Sequence, residues 1–187
     1  MDSKEHYLAY PHVIFENDFK RLCEDKGYNV IDISYHHNCE QSTMWKLRNN
    51  ISPVSLSIRL SPDLIVYKGN DSKFYELKTG NAKDIMRMEA YQLMLNQIRE
   101  THFKTPCIYV YRGKFSNYKM IACHSTDIVP QTLVIPDLKK NSQIKLILSD
   151  YFECEKIVRK VSPNFSGDAY VEITNTDKWL PVEEYLK

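Results

Sequence analysis

The stretch whose reading decides the fold is Leu56-Ser-Ile-Arg-Leu-Ser-Pro-Asp-Leu-Ile-Val-Tyr67, then Gly69-Asn-Asp-Ser72, then Lys73-Phe-Tyr-Glu-Leu-Lys78. Two apolar runs flanking a turn cluster predict a β-hairpin. A tight turn at Gly69-Asn70 sets Asp63 directly across from Glu76. Opposed residues of an antiparallel pair have Cβ atoms about 4.5–5.5 Å apart, so two like charges there repel and weaken the sheet. A divalent cation offsets that repulsion, because hard Mg²⁺ or Mn²⁺ prefers carboxylate oxygens. Lys78 lies two residues beyond Glu76, and strand alternation puts its ammonium on the same face. Asp, Glu and Lys are therefore expected to converge on one spot.

Upstream, Phe15, Phe19, Leu22 and Cys23 recur at helical spacing over about residues 10–26, and Gly27 follows where a C-cap belongs. Tyr28-Asn-Val-Ile-Asp-Ile-Ser34 is rich in β-branched residues and reads as a strand. Residues 36–55 are polar and contain Pro53, which marks an insertion of open structure. Downstream of Thr79-Gly80, residues 82–102 place Ile85, Met88, Gln92, Leu95 and Ile98 or Arg99 on one stripe, as in a helix packed on a sheet. Cys107-Ile-Tyr-Val-Tyr111 and Tyr118-Lys-Met-Ile-Ala-Cys123 form a second hairpin around Gly113. Such a chain places helices on both faces of a mixed central sheet. Beyond residue 127 come a Pro-punctuated segment, a helix over about 142–160, a strand near 169–174 and a tail containing Trp179. The expected organisation is a core over 1–127 and an α+β extension over 128–187, packed on the core or forming a surface for a partner or substrate.

Residues Pro62-Asp63 and Glu76-Leu77-Lys78 resemble the PD-(D/E)xK (restriction-endonuclease-like) nuclease superfamily, whose motif hairpin has this form. The likeness covers about residues 10–125 and implies an α/β fold: one helix, a mixed sheet whose second and third strands carry the motif, and a following helix. It implies a Mg²⁺- or Mn²⁺-dependent nuclease. Asp63, Glu76 and the Leu77 carbonyl would bind the metal, and Lys78 would position or help deprotonate the attacking water. Members often supply a metal-binding Glu from the first helix, which points to Glu16; the other reading of Glu16 is a surface pair with Lys20 at i,i+4 spacing. The run Lys78-Thr-Gly80 followed by a helix with Tyr91 and Gln92 is similar to the RecB-type branch, which adds Gln92 to the catalytic set. Arg87, however, stands where that branch usually has its Gln, four residues before the Tyr. For Gln92 the alternative is the edge of the helix stripe, and for Tyr91 it is ordinary packing.

Arg59, four residues before Asp63, falls on the same face by alternation and reads as a phosphate contact or as a partner of a site carboxylate. Lys83, Arg87 and Tyr91 are candidates for nucleic-acid contact, with solvated helix surface as the alternative for the two cations. His36-His37 resemble the histidine that some viral cap-cleaving members use as a metal ligand, but here they fall in a loop. His12, one turn before Glu16, could face the site or be a solvated or core histidine.

The 187 residues suit one domain of ordinary size, and 43% hydrophobic with 13 Tyr and 5 Gly excludes a disordered or glycine-rich chain. Twenty-five Lys and Arg against 24 acids leave +1, which gives no hint of a nucleic-acid binder. That average hides unlike segments: 1–40 carries net −4, 41–162 carries net +8 and 163–187 carries net −3. Within the basic segment, residues 101–126 hold Lys104, Arg112, Lys114 and Lys119 and no acid, which suits a phosphate-tracking surface. Five cysteines at unrelated spacings suggest reduced thiols rather than a metal cluster. With no secretory leader and no apolar run of about 18–20 residues, an intracellular, soluble protein without a membrane span is expected. The expected partner is nucleic acid, DNA in preference to RNA, cut by an exonuclease or a structure-selective endonuclease, alone, as a homo-oligomer or with a partner subunit. The reading from another class is an inactive nucleic-acid-binding or assembly subunit of the same fold; within nucleases, the alternative is an RNA endonuclease.

Overall fold

The computed structural model describes residues 11–48, 52–136, 142–160 and 169–187. The first helix, α1 (Pro11–Asp25), buries Phe15, Phe19 and Cys23 along one stripe. It ends as the sequence predicts. Gly27 takes φ +77°, its N–H bonds the Glu24 carbonyl at 2.8 Å, and the Tyr28 N–H reaches back to the Cys23 carbonyl at 3.0 Å. This double closure satisfies carbonyls that the helix leaves open, and only glycine adopts the left-handed turn without strain.

The chain then enters β1 (Asn29–Asp32), the short helices α2 (Tyr35–Asn38), α3 (Gln41–Arg48) and α4 (Pro53–Arg59), and the hairpin β2 (Leu64–Lys68) and β3 (Asp71–Gly80). After β4 (Met86–Glu89), helix α5 (Ala90–Phe103) crosses over to β5 (Cys107–Gly113), and β6 (Ile121–His124) returns. The remaining elements are β7 (Thr132–Pro136), α6 (Ser142–Tyr151), β8 (Lys156–Lys160), β9 (Tyr170–Ile173) and β10 (Leu180–Pro181). Among these residues no helix is long and apolar enough to cross a membrane.

Two sheets form, one six-stranded in the order β1-β2-β3-β5-β6-β10 and one four-stranded in the order β4-β9-β7-β8. In the first, β3 and β5 are parallel and the other neighbours antiparallel, so it is the mixed central sheet that the sequence predicts. α1 covers one face over Leu64, Val66, Tyr75, Ile108 and Val110. α5 and the second sheet, through Leu133, Val171 and Ile173, cover the other, over Tyr109 and Tyr111. β5 is thus buried on both faces, which is why Cys107-Ile-Tyr-Val-Tyr111 is an unbroken apolar run.

The hairpin register is the predicted one: Leu64 faces Tyr75, Ile65 faces Phe74, and Gly69 at φ +59° takes the first place of the two-residue turn. Three sequence expectations are corrected. Residues 56–60 do not extend β2; 56–59 belong to α4 and Leu60 to the turn after it, and α4 starts at Pro53 with the Ser55 N–H bonded to Ser52 Oγ at 3.3 Å. The helix expected over 82–102 begins only at Ala90, because Met86 and Met88 alternate into the core under α5 in β4, with Arg87 exposed and Glu89 half-buried, its charge reaching Glu76 and Lys78. The helix expected over 142–160 stops at Tyr151, and Lys156–Lys160 form β8 parallel to β7. Of the insertion read over 36–55, residues 49–51 lie outside the described residues. Residues beyond 128 enter both sheets: β7, β8 and β9 build the second, while β10 closes the first against β6, with Leu180 opposite Ala122.

Candidate active site

Glu76 sits in the middle of β3 on the face covered by α5, only 2% exposed. One carboxylate oxygen lies 2.5 Å from Lys78 Nζ, and the other is buried without a hydrogen-bond partner. Leaving an ionised oxygen buried and unmatched is costly. Burial first, and the nearby charge of Asp63 second, push the Glu76 carboxyl up to about 8. Lys78 responds in the opposite sense: burial works against its ammonium, but the charges of Glu76 and Asp63 outweigh it and raise its pKa.

Asp63 immediately precedes β2, and the observed register carried back one residue sets it across from Glu76. Its Oδ2 accepts the Leu77 N–H at 2.8 Å, which ties the first motif strand to the second at the point where the acids meet. The side chain of Leu77 points the other way, into the core under α1, as alternation requires.

Gln92 reaches this spot from the first turn of α5. It is 6% exposed; its Oε1 accepts from Lys78 Nζ at 2.9 Å and its Nε2 donates to the Ser61 carbonyl at 3.4 Å. The amide therefore braces Lys78 against α5 and the α4–β2 junction. One turn on, Asn96 Nδ2 donates to the buried Tyr109 hydroxyl at 3.0 Å, and Arg99 bonds Asn96 Oδ1 at 2.7 Å and the Leu60 carbonyl at 3.1 Å. Sequence reasoning missed Asn96, Arg99 and Tyr109 as a polar layer beside Glu76. The signal was present: Gln92, Asn96 and Arg99 follow one another at helical spacing, whereas the stripe drawn through Leu95 is rotated from the buried positions Leu93 and Asn96.

The other expected residues lie elsewhere. Glu16 is held by Lys20 at 2.6 Å, the i,i+4 pair that was its alternative reading. Lys20 also bonds Asp32 at 3.0 Å, and His37 Nδ1 approaches Asp32 at 2.8 Å and Glu16 at 3.5 Å. Among the described residues, Glu16, Asp32 and His37 form the group with ligand atoms within 4.8 Å of one another, but the Lys20 ammonium already bonds both carboxylates. Asp32 pairs with Leu64 and so shares the α1 face of the sheet, opposite the face that carries Glu76 and Lys78. The His36-His37 pair lies on α2 rather than in a loop.

Arg59 ends α4, so the alternation that placed it beside Asp63 does not apply. Lys83 is exposed in the connection between β3 and β4. Arg87, on β4 rather than on a helix, pairs with Glu172 at 3.1 Å and stacks on Tyr170 with its guanidinium 5.5 Å from the ring centre. Tyr91 packs half-buried against the second core. His12 lines a groove at the other end of β3 from the hairpin turn.

The donor set fits a hard divalent cation. Asp63 and Glu76 offer carboxylate oxygens, and the orphaned buried oxygen of Glu76 lacks the partner a cation would provide.

No family model and no curated protein matches this chain. Among solved structures, it is similar to Hjc, a Holliday junction resolvase from Archaeoglobus fulgidus, at 10% identity and a TM-score of 0.48, covering 92% of this chain and 98% of that one. A likeness this weak carries no function across.

Proposed function

We propose that this chain is a divalent-metal-dependent nuclease that hydrolyses phosphodiester bonds, with DNA as the favoured substrate, cut from an end or at a branched structure. One observation carries the reading: a buried Glu76 carboxylate with one oxygen on Lys78 and the other unmatched, in register with Asp63. Asp63, Glu76 and the Leu77 carbonyl are the groups assigned to Mg²⁺ or Mn²⁺. When bound, such an ion lowers the pKa of a coordinated water and offsets charge on the scissile phosphate. Lys78, kept protonated by Glu76 and Asp63 and braced by Gln92, presents its ammonium where it can orient the attacking water. Gln92 acts by holding that geometry. Glu16 is left out of the set, because its carboxylate is taken up by Lys20 on the α1 side.

The test is cleavage by the purified chain with Mg²⁺ or Mn²⁺ on linear, circular, single-stranded and branched DNA and on RNA. Asp63→Ala and Lys78→Ala are each expected to lower metal-dependent cleavage by on the order of 10²–10³-fold, the scale of removing one group that meets developing charge. Cleavage by Asp63→Ala at the wild-type rate sinks the proposal. RNA cut in preference to every DNA would move the substrate class while leaving the site intact.

A further inference from the structure

Beyond Lys78, β3 runs two more residues to Gly80, and a groove of about 420 Å³ opens there. Its lining comes from the start of α1 (His12, Ile14, Phe15), the ends of β3 and β5 (Thr79 to Asn81, Arg112, Gly113) and Tyr118, and contains no acid. Gly80 and Gly113 face each other in the parallel ladder and form its floor. A Cβ on Gly113 would lie 2.2 Å from the Gly80 carbonyl oxygen, and one on Gly80 would lie 2.8 Å from the Tyr111 hydroxyl. Neither position tolerates a side chain, so Gly80 and Gly113 meet as bare backbone beside the Tyr111 hydroxyl. The carboxyl ends of parallel strands are also where open α/β sheets take their ligands.

The rim is basic and aromatic. Arg112 is half-buried, with Nη1 2.5 Å from Asp18 and Nε donating to the Tyr118 carbonyl at 3.2 Å. Lys114 and Lys119 are exposed on the short turn that joins β5 to β6. Tyr118 is 61% exposed, although its backbone is fixed: its N–H bonds the Gly113 carbonyl at 2.8 Å and its φ is +59°. A bulky residue in the left-handed region is uncommon, and here that conformation holds a large apolar ring out in water. An exposed ring on a fixed backbone beside two exposed lysines, above a groove whose lining holds no acid, is the combination that binds unpaired bases by stacking while tracking the phosphates.

We infer that this groove is a binding site for single-stranded nucleic acid, with Tyr118 as the stacking platform and Lys114 and Lys119 as phosphate contacts, Arg112 being held by Asp18 and fixing the Tyr118 backbone. The inference rests on the nuclease reading for its purpose: the groove is lined from the α1 face and Lys78 sits on the opposite one, so a strand held here would pass around the end of β3, about 7 Å beyond Lys78 at about 3.3 Å per residue, to reach that site. A duplex hides the base faces that Tyr118 would meet, so an unpaired strand is the occupant the ring selects.

The binding itself can be measured without cleavage. Fluorescence anisotropy in EDTA, with a fluorescein-labelled 12-nucleotide oligothymidylate and a duplex of equal length, keeps catalysis silent. The single strand is expected to bind more tightly than the duplex. Tyr118→Ala should weaken single-strand binding by about 5- to 100-fold, and Tyr118→Phe should retain it. Tyr118→Gly removes the ring while relieving the left-handed strain, so it should bind as weakly as Tyr118→Ala yet melt no lower than wild type. Lys114→Ala with Lys119→Ala should reduce the salt dependence of log K by about 0.7 per lysine. Wild-type affinity in Tyr118→Gly and in the double lysine variant overturns the inference, as does equal loss of duplex and single-strand binding in Tyr118→Gly. Wild-type binding combined with metal-dependent cleavage unaffected by Asp63→Ala would instead sink the nuclease reading and leave the groove standing.

Discussion

Glu76 and Glu100 are two largely buried carboxylates on neighbouring elements, and they differ in how they are satisfied. Glu100, on α5, accepts from Ser125 Oγ at 2.6 Å and from the Thr126 N–H at 3.3 Å, and it pairs with His124. Burial works against its charge, but the bonds from His124 and Ser125 prevail and hold the carboxyl below its ordinary value. Glu76 has Lys78 on one oxygen, nothing on the other, and a carboxyl pushed up to about 8. A closed polar cluster is a structural joint, here tying α5 to the turn after β6. An open one, set deeper, carries a cost that a ligand can offset, and that contrast supports the proposal of Glu76 as a metal-binding acid.

The largest expected effect separates the two through metal. Mn²⁺ at about 100 times its dissociation constant should stabilise the wild-type chain by about 2.7 kcal/mol, a rise of several degrees in melting temperature. Glu76→Gln should abolish the rise and Glu100→Gln should keep it; a rise retained in Glu76→Gln in thermal-shift measurements would place the ion elsewhere. Next in size, Glu100→Gln should cost about 1–2 kcal/mol in urea unfolding, the worth of charge-assisted hydrogen bonds, without altering metal-dependent cleavage. A loss of cleavage at unchanged stability would move Glu100 into the site.

The smallest effect is in pH. The bond to Glu100 raises His124 above its ordinary 6.5, so its stabilising contribution is complete below 6.5 and fades as pH climbs through the raised value. Glu100, lowered from 4.5, contributes fully above 4.5 and loses its share as pH falls through the lowered value. Their joint contribution is greatest between about 4.5 and 6.5. The stability difference between wild type and His124→Gln should peak there and shrink above, and a flat difference from pH 5 to 9 would show that the pair carries no charge.

What the sequence revealed of this arrangement followed the range of the interactions. The β2–β3 register is set by a two-residue turn, so the facing positions of Asp63 and Glu76 could be read from Gly69-Asn70 alone. The stripe of α1 and its stop at Gly27 are equally local. β4 was misread because Ile85, Met88 and Gln92 also fit a helical repeat, and its partner β9 lies more than 80 residues on. Tertiary pairing overrode the local pattern. For α4 the clue was on the page, a Ser52 cap ahead of Pro53, but the β-branched residues after it suggested a strand. In the candidate site, burial of Gln92 followed from the helix stripe. The Glu16–Lys20 pair is the one its i,i+4 spacing offered, whereas the second bond from Lys20, to Asp32, depends on how α1 meets the edge of the sheet, which no spacing encodes.

The closure of the first sheet by β10 has a consequence for the order in which the chain is made. Leu180 and Pro181 pair with β6, Val182 and Leu186 are buried with Phe15, Phe19 and Tyr75, and the Tyr28 hydroxyl donates to the Lys187 carbonyl at 2.7 Å. A chain growing from its N-terminus therefore completes the candidate site's hairpin long before it can complete the core behind it. Until residues 180–187 are synthesised, β6 is an open edge next to an unfilled apolar hollow, the condition in which strands find the wrong partner. Final assembly waits on residues 180–187.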